Sequence, residues 1–264
     1  MGFTTPVLPA VDPEVFLRLP LLERLRILST DWAENGFGSP KLFHTIYIVK
    51  LLGLYALGGI AVATLTSGLP AFWHVAQWWN QPIVYQKLVI WTVLLEAIGI
   101  AGSWGPLAGK VKPMTGGVLF WARPGTIRLR PWKWVPGTAG DRRTALDVAL
   151  YIGLLGALVV ALALPGVHSD SLSAAVPGNT TGLIRPALVI APIALLILNG
   201  LRDKTIFLGA RGEQYLPVLV AFAVFPFVNM IIALKMIIVV VWVGAGFSKF
   251  GKHFSNVIPP MVSN

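Results

Sequence analysis

The chain has 264 residues, of which 55% are hydrophobic and 12% are charged, and its mean hydropathy is +0.73. A soluble domain carries roughly 25% charged residues, so this composition excludes an ordinary soluble protein and indicates a membrane protein. The formal net charge of +10 is assigned to loops beside anionic lipid rather than to a surface for nucleic acid. The sequence contains no cysteine, which excludes disulfides and thiolate chemistry.

The first 40 residues are predicted to form a cytoplasmic and interfacial segment. Four leucines between Leu17 and Leu28 recur at helical spacing, whereas Arg18 lies off that face. Pro20 is expected to bend the helix. The pattern predicts an amphipathic helix that lies on the membrane surface.

Residues 41–264 are predicted to form a transmembrane helical domain. A bilayer core requires about 20 mainly apolar residues per helix, and four runs meet this requirement: 43–66, 83–101, 145–164 and 183–201. A fifth apolar stretch, 215–246, is too long for one upright helix and contains Pro226. It is a steeply tilted helix, a kinked helix or two short pieces. The sequence therefore predicts an all-α bundle of about five spans.

The distribution of Lys and Arg sets the predicted orientation. The loop 102–143 contains eight of these residues, whereas the connection 165–182 contains none. Because cytoplasmic loops carry an excess of Lys and Arg, the N-terminus and the loop 102–143 are predicted to be cytoplasmic. Five spans in the cytoplasmic membrane of a bacterium would place the C-terminal tail outside, and a re-entrant pair split at Pro226 would return it inside.

The loop 102–143 combines its basic residues with Trp, Pro and Gly. Trp favours the headgroup level of a bilayer and Arg pairs with lipid phosphate, so the loop is predicted to follow the membrane surface. The predicted headgroup-binding residues are Arg123, Arg128, Arg130, Lys133, Arg142 and Arg143.

Three ionisable residues fall at bilayer depth, where each costs on the order of 2.5–3.5 kcal/mol. Lys50 lies roughly 13 Å from the inner end of the first span and Glu96 roughly 10 Å from the inner end of the second. Adjacent antiparallel helices would bring them to one level as an ion pair. We favour a structural staple, with a proton or ion relay or a polar headgroup pocket as the alternative. The depth of Lys235 depends on how 215–246 crosses.

The C-terminal stretch Gly246-Phe-Ser-Lys-Phe-Gly-Lys252 falls one residue short of a phosphate-binding loop. His253 stands where such a loop needs Ser or Thr, and an apolar helical run precedes the glycines instead of a strand. We therefore reject a nucleotide site. The four histidines have no spacing that builds a metal site, and the sequence names no cofactor.

The run Gly244-Ala-Gly-Phe-Ser-Lys249-Phe resembles the stretch after a late span in the vitamin K-dependent carboxylase-like family, whose bacterial members are grouped as horizontally transferred transmembrane (HTTM) proteins. The resemblance implies a multi-helix bundle with a polar site on the outer side. It also implies that Lys249 acts as a base, and Lys235 is a second candidate catalytic residue. The runs 123–132 and 140–151 resemble uncharacterised transmembrane proteins of actinobacteria and some proteobacteria, whose chains are longer.

Three functions remain open at this point. The first is a membrane enzyme that acts on a lipid-like or quinone-like substrate near the outer face through Lys249. The second is a non-catalytic subunit that positions other subunits in a membrane assembly. The third is a transporter that uses Lys50 and Glu96. Anionic lipids at the cytoplasmic face are the predicted partners in each case, and nucleic acid is not.

Overall fold

The computed structural model describes residues 3–4, 9–36, 40–100, 117–130, 132, 134–251 and 254. Helices account for 69% of the structure and the described residues form no strand, so the predicted all-α class is confirmed. In chain order the helices are α1 (Pro13–Arg18), α2 (Leu21–Asn35), α3 (Lys41–Lys50), α4 (Gly59–Thr66), α5 (Val75–Trp78), α6 (Pro82–Ala97), α7 (Val118–Trp121), α8 (Ala145–Ala163), α9 (Asp170–Ala175), α10 (Pro186–Arg202), α11 (Lys204–Gly209), α12 (Gly212–Val224) and α13 (Phe227–Phe247). A π-helix, Leu51–Gly58, joins α3 to α4, and a 3₁₀ turn, Ser248–Phe250, follows α13.

Three helical runs within the described residues are long and apolar enough to cross a membrane. They are His44–Thr66, which includes the π-helix, then α8 and α13. Helices α6, α10 and α12 have 16, 17 and 13 residues, which is shorter than the length of about 20 that an upright span requires.

The N-terminal segment forms two helices separated at Pro20. The side chain of Asp12 accepts a hydrogen bond from the backbone N–H of Glu14 at 2.8 Å and begins α1. The first helix ends before Pro20 because the residue preceding a proline is restricted to extended backbone, and Leu19 has ψ of 149°. Pro20 therefore separates two helices where one bent helix was predicted, and the location of these helices at a membrane surface stays a prediction.

The chain divides into two compact units. One comprises Met1–Tyr47 together with Val239–Asn264, and the other comprises Ile48–Ile238. The first unit therefore brings the two terminal segments of the chain together. The second unit contains the main hydrophobic core, and the predicted division of the chain at residues 40 and 41 stays a prediction.

Helices α4, α6, α8, α10 and α12 pack around the core of the second unit, which includes Ile90, Leu154, Leu196 and Leu219 at 0% exposure. Helix α4 approaches α6 closely at Gly59, where an added Cβ would lie 2.8 Å from Cδ2 of Leu88. The absence of a side chain at this position lets the two backbones come together.

The second unit has two chemically different ends. Arg128, Asp147 and Arg202 meet at the first, which we call the arginine end. Gln81 accepts hydrogen bonds from Asn179 and Thr181 at the opposite end, which we call the glutamine end. The arginine end contains the C-terminus of α6, the N-terminus of α8 and the C-terminus of α10. Helix α8 therefore runs antiparallel to both α6 and α10.

The apolar stretch 215–246 forms two helices instead of one. Helix α12 ends at Val224, Phe225 is extended with φ of −99° and ψ of 140°, and α13 begins after Pro226. Proline disfavours helical backbone at the residue before it and has no N–H to continue the helix. Of the three alternatives that the sequence left open, the structure has two helical pieces, the second of which is 21 residues long.

Candidate functional site

Lys50 and Glu96 come close to each other at the arginine end. Lys50 ends α3, and its Nζ donates a hydrogen bond to the carbonyl oxygen of Ile100 at 3.1 Å, just past the end of α6. The carboxyl group of Glu96 is 1% exposed and lies within electrostatic range of the Lys50 ammonium group. The antiparallel course of the first two apolar segments therefore brings both charges to one level, and the predicted direct ion pair stays a prediction.

Lys87 is a buried charge that the sequence analysis did not single out. Its side chain is 0% exposed, and its Nζ donates to the carbonyl oxygen of Thr66 at 2.7 Å and to the Thr66 hydroxyl at 2.8 Å. Within the described residues no carboxylate pairs with it. The two bonds tie the C-terminus of α4 to α6, where the partial negative charge of a helix end favours a cation.

Lys235 lies on α13, and its side chain is exposed. It is eight residues past the start of the helix, which corresponds to about 12 Å along the axis. Neither a hydrogen bond nor an ion pair reaches it from the residues that the structure describes. Its surroundings on the same helix are the exposed apolar side chains of Ile232, Met236 and Val239.

Asp147 is the centre of a buried ion-pair network at the arginine end. Its Oδ1 accepts from Nη1 of Arg128 at 3.1 Å and from Nε of Arg202 at 2.5 Å. Its Oδ2 accepts from the backbone N–H and the hydroxyl of Thr144 at 2.7 and 2.8 Å, which forms a capping box at the start of α8. The carboxylate therefore caps the N-terminus of α8 and also joins three segments of the chain.

A second ion pair extends the network. Nε of Arg143 lies 2.7 Å from Oδ2 of Asp203, and both side chains are 1% exposed. The other carboxylate oxygen of Asp203 accepts from the backbone N–H of Thr205 at 2.9 Å and begins α11. The network therefore fixes the connection between α10 and α11 as well as the loop before α8.

Burial separates two of the predicted headgroup-binding residues from the other four. The side chains of Arg128 and Arg143 are 0% and 1% exposed, so their guanidinium groups face carboxylates and carbonyls inside the protein and offer no surface to a lipid. Two acidic residues draw the two arginines inward: Asp147, four residues after the loop, and Asp203, which lies farther along the chain. Among the rest, Arg123 and Arg142 are exposed, Arg130 is partly exposed, and Lys133 lies outside the described residues.

Lys249 lies in the 3₁₀ turn after α13, on the surface. Its Nζ is 5.9 Å from the centroid of the Phe254 ring, and Phe247 and Phe250 pack edge to face beside it. The described part of the chain places no carboxylate, imidazole or hydroxyl against this amine. Lys252 and His253, from the rejected nucleotide motif, lie outside the described residues.

The apolar helices and the charges held among them describe a membrane protein, and the comparison of sequences agrees. A family model described as a transmembrane protein of unknown function (DUF3556) matches residues 1–264, the full sequence. The chain belongs to this DUF3556 family. No curated protein and no solved structure matches it. Membership confirms the predicted uncharacterised membrane family, and the actinobacterial and HTTM resemblances of this DUF3556 chain stay predictions.

The sequence of this DUF3556 protein did not lead us to Lys87 or to the ion pairs that Arg128 and Arg143 make with Asp147 and Asp203. The two omissions have different reasons. Lys87 lies five residues inside α6, so a count of charges within apolar runs would have found it. The partners of Arg128 and Arg143 lie 19 and 60 residues away in the chain. No local pattern identifies which of several basic loop residues turn inward.

Proposed function

We propose that this DUF3556 chain is a non-catalytic subunit of a membrane assembly and that α13 is its docking helix. The observation that carries the proposal is the exposed Lys235 on a helix that otherwise fits a bilayer. Of the 21 residues of α13, Met230 is the buried one. The helix is therefore long enough to span the membrane but has little contact with the rest of the chain.

One face of α13 carries a lysine among branched aliphatic side chains. Val228, Ile232, Lys235 and Val239 follow the spacing i, i+4, i+7 and i+11, which aligns them along one side of a helix. A lysine at this depth costs on the order of 2.5–3.5 kcal/mol unless it is paired. A neighbouring helix that presents an Asp or Glu would remove this cost, so the partner is a transmembrane helix with a carboxylate opposite Lys235.

A second copy of the chain does not fit this face. Helix α13 contains no Asp or Glu, so two copies packed through the same face would bring like charges together. Like charges at close range in low dielectric are repulsive. The proposed partner is therefore a different polypeptide segment.

We further propose six membrane crossings, one each for the run His44–Thr66 and for α6, α8, α10, α12 and α13. The break at Pro226 divides the stretch 215–246 into two helices. An even number of crossings returns the C-terminus to the side of the N-terminus, which agrees with the presence of both terminal segments in one compact unit. The Lys and Arg residues of the loop 102–143 support a cytoplasmic location for that side in the cytoplasmic membrane.

The membrane-enzyme hypothesis, with Lys249 as a base, has less support than the subunit. General acid–base catalysis requires complementary groups within hydrogen-bond reach, whereas the described neighbours of Lys249 are aromatic rings. With six crossings Lys249 would also leave the outer side that the resemblance implies. For Lys50 and Glu96 we propose a staple at the arginine end. For Arg123, Arg130, Arg142 and Lys133 we propose contact with anionic headgroups.

A photo-crosslinking amino acid placed at Ile232 or Val239 tests the docking helix. We expect these positions to crosslink to one polypeptide, and the crosslinked peptide to lie in a transmembrane segment that contains Asp or Glu. Substitution Lys235→Leu should lower the yield roughly ten-fold or more, because loss of one member of a buried charge pair costs about 2–5 kcal/mol. Exchange of the two charges, Lys235→Glu with Lys in the partner, should restore the yield.

Two matched positions control the experiment. Val159 on α8 is as exposed as Val239, at 50% against 54%, and should crosslink to lipid. Lys204→Leu removes an exposed lysine outside α13 and should leave the yield unchanged. Lipid crosslinks at all positions, or an unchanged complex in the Lys235→Leu variant, would show that Lys235 reaches the headgroup level by itself and would contradict the proposal.

A further inference from the structure

An apolar pocket lies at the glutamine end of the second unit, between the first half of α6 and the helices α12 and α13. Its volume is about 320 Å³, at the lower end of the range for ligand pockets. A pocket of this volume can accommodate a segment of an aliphatic chain.

The walls of the pocket are apolar along most of their length. Val89, Phe222, Ile231 and Leu234 contribute to them, and no Lys or Arg is among the described lining residues. Hydrocarbon surfaces of this kind favour an aliphatic chain over a polar or charged solute. A free carboxylate in this pocket would have no cation among the described lining residues to pair with.

Gln86 is the buried polar residue of the pocket lining, which also includes Asn80 and Tyr85. Its side-chain oxygen accepts the backbone N–H of Ile184 at 2.9 Å, which fixes the orientation of the amide because that donor must meet an oxygen. The amide nitrogen therefore points the other way, where its described contact is the sulfur of Met230 at 3.5 Å. A thioether is a weak acceptor, and the residue is 2% exposed, so a strong acceptor oxygen is what the site lacks.

The depth of Gln86 matches the ester level of a membrane lipid. It is four residues past the start of α6, or about 6 Å along the helix, and the pocket lining includes Trp79, whose side chain is exposed. Tryptophan favours the interface between headgroups and hydrocarbon. An ester carbonyl at Gln86 would place the acyl chain along the apolar walls and the headgroup beside Trp79.

We propose that this pocket binds the acyl chain of an ester-linked membrane lipid, with the ester carbonyl accepting a hydrogen bond from the amide nitrogen of Gln86. The site is separate from the exposed face of α13. Phe227, Met230, Ile231 and Leu234 line the pocket, whereas Lys235 and Val228 lie on a different side of the same helix. Lipid binding here therefore does not depend on the proposed partner.

Photoreactive lipids in nanodiscs test the proposal with the full chain. Three probes carry the same diazirine-bearing chain: an ester-linked phospholipid, an ether-linked phospholipid and a free fatty acid. We expect the ester-linked probe to label the peptides around 79–89 and 227–234 at least five-fold more than the exposed face of α8. The ether-linked probe, which lacks the carbonyl, and the fatty acid should label these peptides several-fold less.

Two variants separate the pocket from the surrounding bilayer. Gln86→Met keeps the length of the side chain but removes the donor, so the ester and ether probes should label it equally. Val89→Trp fills the pocket and should abolish the excess labelling, whereas Ile152→Trp on the exposed face of α8 should not. Labelling of the pocket peptides no stronger than that of α8 would show bulk lipid alone and would overturn the proposal. Equal labelling by ester and ether probes in the wild-type chain, or preference for the fatty acid, would overturn the assignment of the ester.

Discussion

At the scale of single residues, the buried carboxylate of Asp147 is the most sensitive position of the arginine end. Three guanidinium groups, from Arg128, Arg143 and Arg202, share two carboxylates, from Asp147 and Asp203. Loss of one negative charge would leave a net charge of +2 in place of +1 in a site shielded from water. We expect Asp147→Asn to lower the free energy of unfolding by about 3–5 kcal/mol, the usual effect of breaking a buried pair.

Thermal unfolding in detergent measures this loss, with a fall in Tm of roughly 2–4 °C per kcal/mol for a chain of this size. Asp170→Asn is the matched control, because Asp170 is fully exposed beside His168. The control should change stability by no more than about 0.5 kcal/mol. Equal Tm values for the two variants would show that the network contributes nothing to stability.

Thr66 accepts two hydrogen bonds from the buried ammonium group of Lys87, through its carbonyl oxygen and its hydroxyl. Thr66→Val removes one of the two acceptors of a buried ammonium group, and we expect a loss of about 1–3 kcal/mol in the free energy of unfolding. Thr92→Val is a matched control, because both hydroxyls also donate to the carbonyl four residues earlier. The double variant Thr66→Val with Lys87→Met should recover most of the loss, since it removes the charge together with its acceptor. Additive losses in this cycle would contradict the pairing.

The fate of individual charges shows what the sequence can predict at this scale. The rise of about 1.5 Å per residue predicts Lys50 and Glu96 at one level, because helix length converts sequence position into depth. In the structure the two groups lie within electrostatic range of each other. The inward turn of Arg128 could not be predicted in this way. It depends on Asp147 and on two loop carbonyls, of Thr138 and Ala139, that accept from the same guanidinium group.

At the scale of helices, the close approach of α4 and α6 depends on Gly59. A Cβ added there would lie 2.8 Å from Leu88 and 3.0 Å from the Trp91 ring. The indole N–H of Trp91 in turn donates to the Leu54 carbonyl of the π-helix at 2.8 Å. We expect Gly59→Leu to separate the two helices and to lower the free energy of unfolding by about 1–3 kcal/mol, the usual cost of overpacking.

Gly53→Leu is the control for this prediction. Gly53 belongs to the π-helix that precedes α4. An added Cβ there would meet nothing within 4 Å, so the variant should be no less stable than wild type by thermal unfolding. Gly59→Leu as stable as Gly53→Leu would mean that the two helices do not pack at this position.

Helix breaks were easier to predict than helix contacts. Pro20 and Pro226 interrupt the chain where the sequence indicated, because proline acts through its own ring and the residue before it. The π-helix had no such local signal. Its neighbours α4 and α6 pack through side chains that are distant in sequence, so its form depends on tertiary contacts.

At the scale of the whole molecule, the composition was enough to indicate a helical membrane protein, and the count of crossings was not. Three helical runs reach the length of a span. Helices α6, α10 and α12 are shorter than an upright crossing, so to cross they would need local thinning of the bilayer or flanking residues that snorkel to the interface. The number of crossings decides on which side of the membrane the segment after α13 lies, and Lys249 belongs to that segment.

Labelling of single cysteines from one side of the membrane tests the six crossings. The natural chain has no cysteine, so Glu34→Cys, Ser173→Cys and Phe250→Cys each introduce a unique thiol at an exposed position. An impermeant maleimide applied to intact cells should label the Ser173→Cys variant only, because the proposed six crossings would place the connection between α8 and α10 outside. The Glu34→Cys and Phe250→Cys variants should react after the membrane is opened, since both terminal segments belong to one unit. Labelling of Phe250→Cys in intact cells would require an odd number of crossings. It would return Lys249 to the outer side and restore the enzyme as the better hypothesis.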